Sequence, residues 1–313
     1  MRTILVALAA LIAALLLPAN EALAWGPGVH LAVGDYLLKN LDLLPSMAAQ
    51  ILAADPRAFL YGALSPDIFL GKGCRVKPAH SHNWATARAV RDQADTVHLA
   101  AHSLGYLTHL AADVVAHNYY VPNLLAAMPV GGRLPHVYLE MQADAWVDWN
   151  ASFARGLLTH GPEPADWSMV KATGKNRSFF LLRKELFSRS FHLWESPLSA
   201  RSLRLADRRL PLLGNRELMH TMFDLALDLA THVLQDPEHS PVLDFDPIGS
   251  RNLRRAGRLS RSLRRAWRRD QELAFPVAPM LLELHESMRD ADHKRPYPFL
   301  ATPEQTGTEA VLS

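Results

Sequence analysis

Three observations predict an all-α chain. Apolar residues, chiefly Ala and Leu, recur at helical spacing. The alternation expected of a half-buried strand is scarce. Clusters of Pro and Gly separate the helical stretches. Taken in order, the first 24 residues stand apart. Met1-Arg2-Thr3 is a short basic start, and Ile4 to Leu17 is an unbroken run of 14 apolar residues, ended by Pro18. Ala22-Leu23-Ala24 has the small-x-small form of a signal-peptidase site. The run is too short for a bilayer span, which needs about 20 residues. It reads as a secretory signal, so the expectation is export to the periplasm or beyond, after cleavage between Ala24 and Trp25.

The helices follow. His30 to Leu43 carries Leu31, Val33, Leu37 and Leu38 on one face, and a second helix runs from Pro45 to Leu52. Gly62 to Pro78 reads as loop. A long helix spans about Ala85 to Tyr120, broken once near Gly105. Pro122 and Gly131-Gly132 mark its end, and the next helix covers about Pro135 to Gly156. Gly161-Pro162-Glu163-Pro164 is a linker. Further helices fall at Ser178 to Ser190 and Glu217 to Leu234. A loop at Asp236 to Ser250 leads into a basic helix from Arg251 to Phe275 and another at Val277 to Arg289. The tail from Lys294 is loose, and no fixed-period repeat is present.

Composition excludes some classes. A net charge of +2 gives no global argument for nucleic acid, and 49% hydrophobic residues argue against disorder. The single cysteine, Cys74, cannot form an internal disulfide, so an exported chain of this size needs a good core, a metal, or both.

Fifteen histidines are many for this length, and their placement is informative. His109, Asp113 and His117 stand four apart, which puts them on one slowly rotating stripe of a helix, about 6 Å apart. His136 and Glu140 share a face in the same way. Asp67 and the His80/His82 pair precede them in loops. Imidazole and carboxylate are the non-thiolate ligands of zinc, and burying so many ionisable groups without a cation would be costly. Cleavage after Ala24 would add the Trp25 amino nitrogen and carbonyl oxygen, which can chelate an ion, with His30 close by across Gly26-Pro27-Gly28. His98 and His102 read as a solvated or hydrogen-bonded helix face, with support of the ligands as the alternative, and Cys74 reads as a spectator. Most of Trp84, Tyr119, Tyr120, Trp146 and Trp149 read as core.

Together these residues resemble the zinc-dependent phospholipase C family. Its members include bacterial phosphatidylcholine-cleaving enzymes and a domain of the glycosylphosphatidylinositol-specific phospholipase D, and fungal single-strand nucleases share its three-zinc fold. The resemblance covers roughly Trp25 to Trp149. It rests on the Trp-Gly start, Gly62-Ala63-Leu64-Ser65-Pro66-Asp67, the stretch from Leu107-Thr108-His109 through Asp113 to His117, and His136-x-x-x-Glu140. It implies a single multi-helix domain, placed at residues 25–235, although beyond Trp149 only the helical content is compatible; the basic amphipathic helix marks 236–293 as a helical extension, and composition marks 294–313 as a flexible tail.

The resemblance also implies three zinc ions. One is held by Asp67, His82, His109 and Asp113, and a second by His117, His136 and Glu140. The third takes the Trp25 nitrogen and oxygen, His30, and the other oxygen of a bridging Asp113. His82 is preferred to His80 because it adjoins Asn83-Trp84. Asp67 is the candidate ligand and general base. The implied activity is hydrolysis of the glycerol-phosphate ester of a phospholipid, giving diacylglycerol and a phosphorylated head group. Ile68 after Asp67 departs from the aromatic surroundings of choline-preferring relatives, so no choline box is implied.

Two other readings stand beside this one: a single-strand nuclease or nucleotidase on the same fold, and a non-catalytic lipid-binding protein. Nucleic acid is a partner only under the first, and no obligate protein partner is evident. The nine arginines of Arg251 to Arg269 fall mostly on one face of a helix, which would allow peripheral contact with an anionic membrane.

Overall fold

A computed structural model describes residues 25–69, 80–127, 133–159, 164–194, 216–258 and 273–289. These segments are helical, with no strand among the described residues. The expected signal segment, Cys74 and the tail lie outside them.

Helix α1 (Pro27–Lys39) starts on Pro27, whose fixed φ and missing N–H suit a first turn. A 3-10 turn at Leu41–Leu43 and α2 (Ser46–Ala54) follow. The next element departs from the expected loop. Helix α3 (Pro56–Leu64) runs through Gly62 and passes into a 3-10 turn, Ser65–Ile68, that carries Asp67. Asp55 caps α3 by accepting the Ala58 N–H at 2.9 Å, and its other oxygen lies 2.8 Å from His98 Nδ1. That pair ties the start of α3 to the start of the central helix.

The expected long helix is two. α4 (Trp84–Arg91) is capped by Asn83, and α5 (Val97–Val115) by Thr96, so the break falls at 92–96. Gly105 lies inside an unbroken α5 for another reason. A Cβ there would sit 2.0 Å from the Phe59 carbonyl oxygen, and one on Gly62 would sit 2.1 Å from the His102 oxygen. The two glycines let α3 and α5 cross backbone to backbone. A π-turn, Ala116–Tyr120, extends α5 and holds His117; α6 (Val121–Ala127) continues past Pro122, which starts a helix rather than ending one.

The remaining helices are α7 (Arg133–Asp144), α8 (Ala151–Thr159), α9 (Pro164–Thr173), α10 (Arg177–Trp194), α11 (Arg216–Gln235), α12 (Ser250–Arg258) and α13 (Pro279–Arg289). The single helix expected over 135–156 is therefore interrupted at 145–150, and α9 was not expected. Phe275 lies outside any helix, so the basic helix does not reach it; residues 259–272 are outside the described set. One core cluster runs from Trp25 to Leu281. It centres on α5, whose Tyr106, Leu110, Ala111, Val114 and Val115 are fully buried, and on Phe223, Ala226 and Leu229 of α11.

Candidate metal centre

The crossing of α3 and α5 sets the site. Asp67 leaves the end of α3 beside His109 and Asp113 of α5, and His82 enters from the turn before α4. All four side chains are buried. His82 Nε2 lies 3.0 Å from His109 Nε2, 3.1 Å from Asp67 Oδ1 and 3.3 Å from Asp113 Oδ2. His109 Nε2 lies 3.3 Å from Asp113 Oδ2 and 3.7 Å from Asp67 Oδ1. Zinc bonds of about 2.0–2.2 Å in a tetrahedron would hold ligand atoms about 3.3–3.6 Å apart. The five separations scatter around that edge.

The tautomers agree. A carbonyl oxygen only accepts, so His109 Nδ1–H donates to Ala63 O at 2.8 Å, which leaves Nε2 facing His82, Asp67 and Asp113. His82 Nδ1 has Ser81 Oγ at 3.0 Å. His80 stays outside the group; its Nδ1 accepts the His82 backbone N–H at 3.0 Å.

His30 enters on the other side. Its ring stacks on His109 at 3.7 Å between centroids, and its Nε2 lies 3.4 Å from Asp113 Oδ1. Asp113 thus turns one oxygen to His82 and His109 and the other to His30. Burial, with His109 adding to it, lowers the His30 pKa to about 4, so the ring is neutral. Neither ring nitrogen makes a hydrogen bond, although the residue is 1% exposed. An orphaned buried imidazole facing a carboxylate fits a cation between them. Two groups could hold an ion among the described residues: His30, His109 and Asp113, and Asp67, His82 and His109.

His117 and Glu140 are buried but fall in neither group. The His136 side chain lies outside the described residues; α7 places it one turn before Glu140. Trp25 is fully buried. Its indole N–H donates to Ala112 O at 3.0 Å and its ring stacks on Tyr120, which pins residue 25 beside Asp113.

Residues 29–181 match the family described as zinc dependent phospholipase C. Over this segment the chain is similar to the zinc-dependent phospholipases C. No curated protein and no solved structure matches the chain. The zinc-dependent phospholipases C are phosphodiesterase-type hydrolases, and the buried His/Asp groups suit their metal.

Three supports of the centre escape a reading by motif. Asp144 lies four residues after Glu140, the same spacing that flagged the ligands. It is fully buried, and its Oδ1 accepts the Val29 N–H at 2.9 Å, with Gly28 N–H also donating to the carboxylate. It therefore caps α1 and fixes the approach to His30. Burial pushes its carboxyl up to about 8, against the pull of those two amides. Asp144→Ala would leave two buried amides unpaired. The expected cost is about 1–3 kcal/mol, read as a lower urea midpoint with unchanged slope.

The second support comes from beyond the family match. The carbonyls of three consecutive residues accept side-chain donors around the site. Phe245 O takes Trp84 Nε1–H at 2.8 Å, Asp246 O takes Asn118 Nδ2–H at 2.8 Å, and Pro247 O takes His117 Nδ1–H. Gly249 closes this loop at φ +60, where a Cβ would sit 2.2 Å from the His117 oxygen. Sequence offers no signal here, because the acceptors are backbone atoms.

His102 is the third. It is buried, with Nε2 3.0 Å from Ser65 Oγ, and so steadies the Asp67 turn. Burial, followed by the charges of His98 and Lys184, holds its pKa down to about 3 against an ordinary 6.5. The folded chain then binds fewer protons at His102 than the unfolded chain between those values. Stability contributed there is present above pH 6.5 and is lost as pH falls towards 3. His102→Gln is expected to flatten the acid arm of the stability–pH curve of the zinc-free chain, measured by urea unfolding.

Proposed function

We propose that the chain is an exported zinc-dependent phospholipase C that cleaves the glycerol-phosphate ester of a phospholipid, releasing diacylglycerol and a phosphorylated head group. The observation that carries this reading is the close approach of an Asp67 and an Asp113 carboxylate oxygen to the Nε2 atoms of His82 and His109, within a segment that matches this family. These four would hold one zinc. His117, His136 and Glu140 would hold a second. The third would take His30, the second oxygen of Asp113 and, once Trp25 is the first residue, its amino nitrogen and carbonyl oxygen.

When bound, zinc brings the pKa of water towards neutrality and offsets the charge of the phosphodiester. Asp67 accepts the proton as water oxygen bonds to phosphorus. The phosphorus–oxygen bond to glycerol breaks, the glycerol oxygen leaves as a hydroxyl with a proton from solvent water, and Asp67 returns its proton to solvent. His109 keeps its Nε2 directed into the cluster because its Nδ1 is occupied by Ala63 O, and Pro247 O likewise occupies His117 Nδ1. Export rests on the sequence of residues 1–24; no helix among the described residues is long and apolar enough to cross a membrane.

Phosphorus NMR of the zinc-loaded chain beginning at Trp25, with mixed phospholipid micelles, tests the reading. A growing phosphomonoester signal that chelator abolishes is the expected result. Unchanged lipid with zinc bound, alongside digestion of single-stranded nucleic acid, would move the activity to the nuclease branch.

A further inference from the structure

Helix α10 carries two apolar faces. Its inner face is committed to the core. Phe180 and Phe191 are fully buried, Phe180 meets Phe69 at 5.2 Å between centroids, and Lys184 Nζ lies 2.7 Å from Asp166 Oδ2, while Asp166 Oδ1 accepts the Tyr61 hydroxyl. Its outer face holds Phe179, Leu182 and Leu186, which are 41%, 58% and 49% exposed. At spacings of three and four these three form one stripe along the helix. Large apolar side chains aligned in this way mark a contact surface, whereas scattered ones need no explanation.

The surroundings of the stripe are basic. Between residues 164 and 194 there are six Lys and Arg against two Asp and Glu. Both acids are engaged, Asp166 with Lys184 and Glu185 with Arg189. The Arg183 guanidinium lies over the Phe179 ring at 5.0 Å, at the edge of the stripe. Arg177 stacks on Trp167 at 3.7 Å at the corner between α9 and α10. Apolar Phe and Leu with a Trp and a cationic rim is the pattern of a helix lying in a bilayer interface. The surface also adjoins the chemistry: Phe69, which Phe180 touches, is two residues from Asp67. The arginine face of α12 offers charge alone. Arg251, Arg254, Arg255 and Arg258 are exposed, but Leu253 is only half-buried and Ala256 is buried.

We infer that the outer face of α10 is the surface by which this chain sits on an anionic lipid bilayer, with Phe179, Leu182 and Leu186 entering the interface and Arg177 and Arg183 meeting lipid phosphates. The inference rests on the phospholipase reading for its purpose, but lipid binding can be measured without turnover. The test is flotation of the full zinc-loaded chain with vesicles of mixed phosphatidylcholine and phosphatidylserine. It compares the unaltered chain, the double variant Leu182→Asp with Leu186→Asp, and the double variant Arg177→Glu with Arg183→Glu.

Each variant is expected to lower the vesicle-bound fraction at least tenfold. Zinc content and hydrolysis of a dissolved short-chain phosphatidylcholine should stay unchanged, because the inner face is untouched. Equal binding by all three chains would overturn the inference. So would a dimer of the unaltered chain that Leu182→Asp with Leu186→Asp converts to monomer, since a second copy would then cover the stripe. Absence of hydrolysis in every chain, with the binding difference intact, would count against the phospholipase reading and leave this surface standing.

Discussion

Asp113→Asn is expected to strip zinc from the chain and to lower phosphodiesterase activity by more than about a hundredfold. Losing a group that merely orients a metal ligand costs about 10–100-fold, and Asp113 sits closer to the chemistry than that. Its Oδ2 faces His82 and His109 at 3.3 Å each, and its Oδ1 faces His30 at 3.4 Å. Asparagine keeps the volume but removes the negative charge, and it presents an NH2 group to lone pairs that need a cation. Both halves of the cluster should fail together. Atomic absorption for zinc per chain, with hydrolysis on the same samples, checks this. His98→Asn is the control, because His98 pairs with Asp55 at the start of α3, away from the cluster. A variant that kept its full zinc and turnover would remove Asp113 from the centre.

The second large effect is expected far from any ligand. Gly105→Ala should destabilise the chain by about 2 kcal/mol, the upper overpacking cost less the helix-propensity gain, and disturb the centre as well. Alanine gains about 1 kcal/mol over glycine in a helix interior, so propensity alone favours the change. Overpacking opposes it with about 1–3 kcal/mol or more. Overpacking wins because the new Cβ would meet a backbone oxygen at 2.0 Å, which no rotamer change can relieve. α3 and α5 must move apart. His109 is four residues from Gly105, and Asp67 is five from Gly62, so that movement opens the cluster. A shift of about 1 Å can cost a hundredfold in rate. Thermal unfolding should fall by roughly 5 °C, with a lower zinc content. Gly156→Ala in α8 meets nothing within 4 Å and should be neutral or slightly stabilising.

These two positions show what sequence carries and what it does not. His109 and Asp113 are legible because a helix repeats every 3.6 residues and a spacing of four keeps them on one stripe. His117 continues the count, but the structure seats it in a π-turn. Its orientation is decided by the Pro247 carbonyl, 130 residues away in sequence. Gly105 reads locally as a helix breaker, because glycine costs helix stability; only the crossing partner, Gly62, shows why it is there. Gly62 in turn sits before Ser65-Pro66 and suggests loop, although α3 runs to Leu64. Asp144 was within reach at four residues from Glu140, yet its role as the cap of α1 depends on a contact across 115 residues. Periodicity reports which residues share a face. It cannot report which backbone atoms come to meet that face.

The stability of the centre also depends on segments outside the family match. Phe245, Asp246 and Pro247 hold Trp84, Asn118 and His117 by backbone carbonyls, so a chain ending at residue 181 would lack these acceptors. The core leads to the same conclusion, since Val242 and Leu281 belong to the cluster that contains Trp25.

An anomalous difference map recorded at the zinc edge, on crystals of the chain beginning at Trp25, tests the central claim most directly. The expected result is a peak among Asp67, His82, His109 and Asp113, with a second beside His30 that shares Asp113. A map with no peak among those four side chains, from crystals whose zinc content is confirmed, would contradict it.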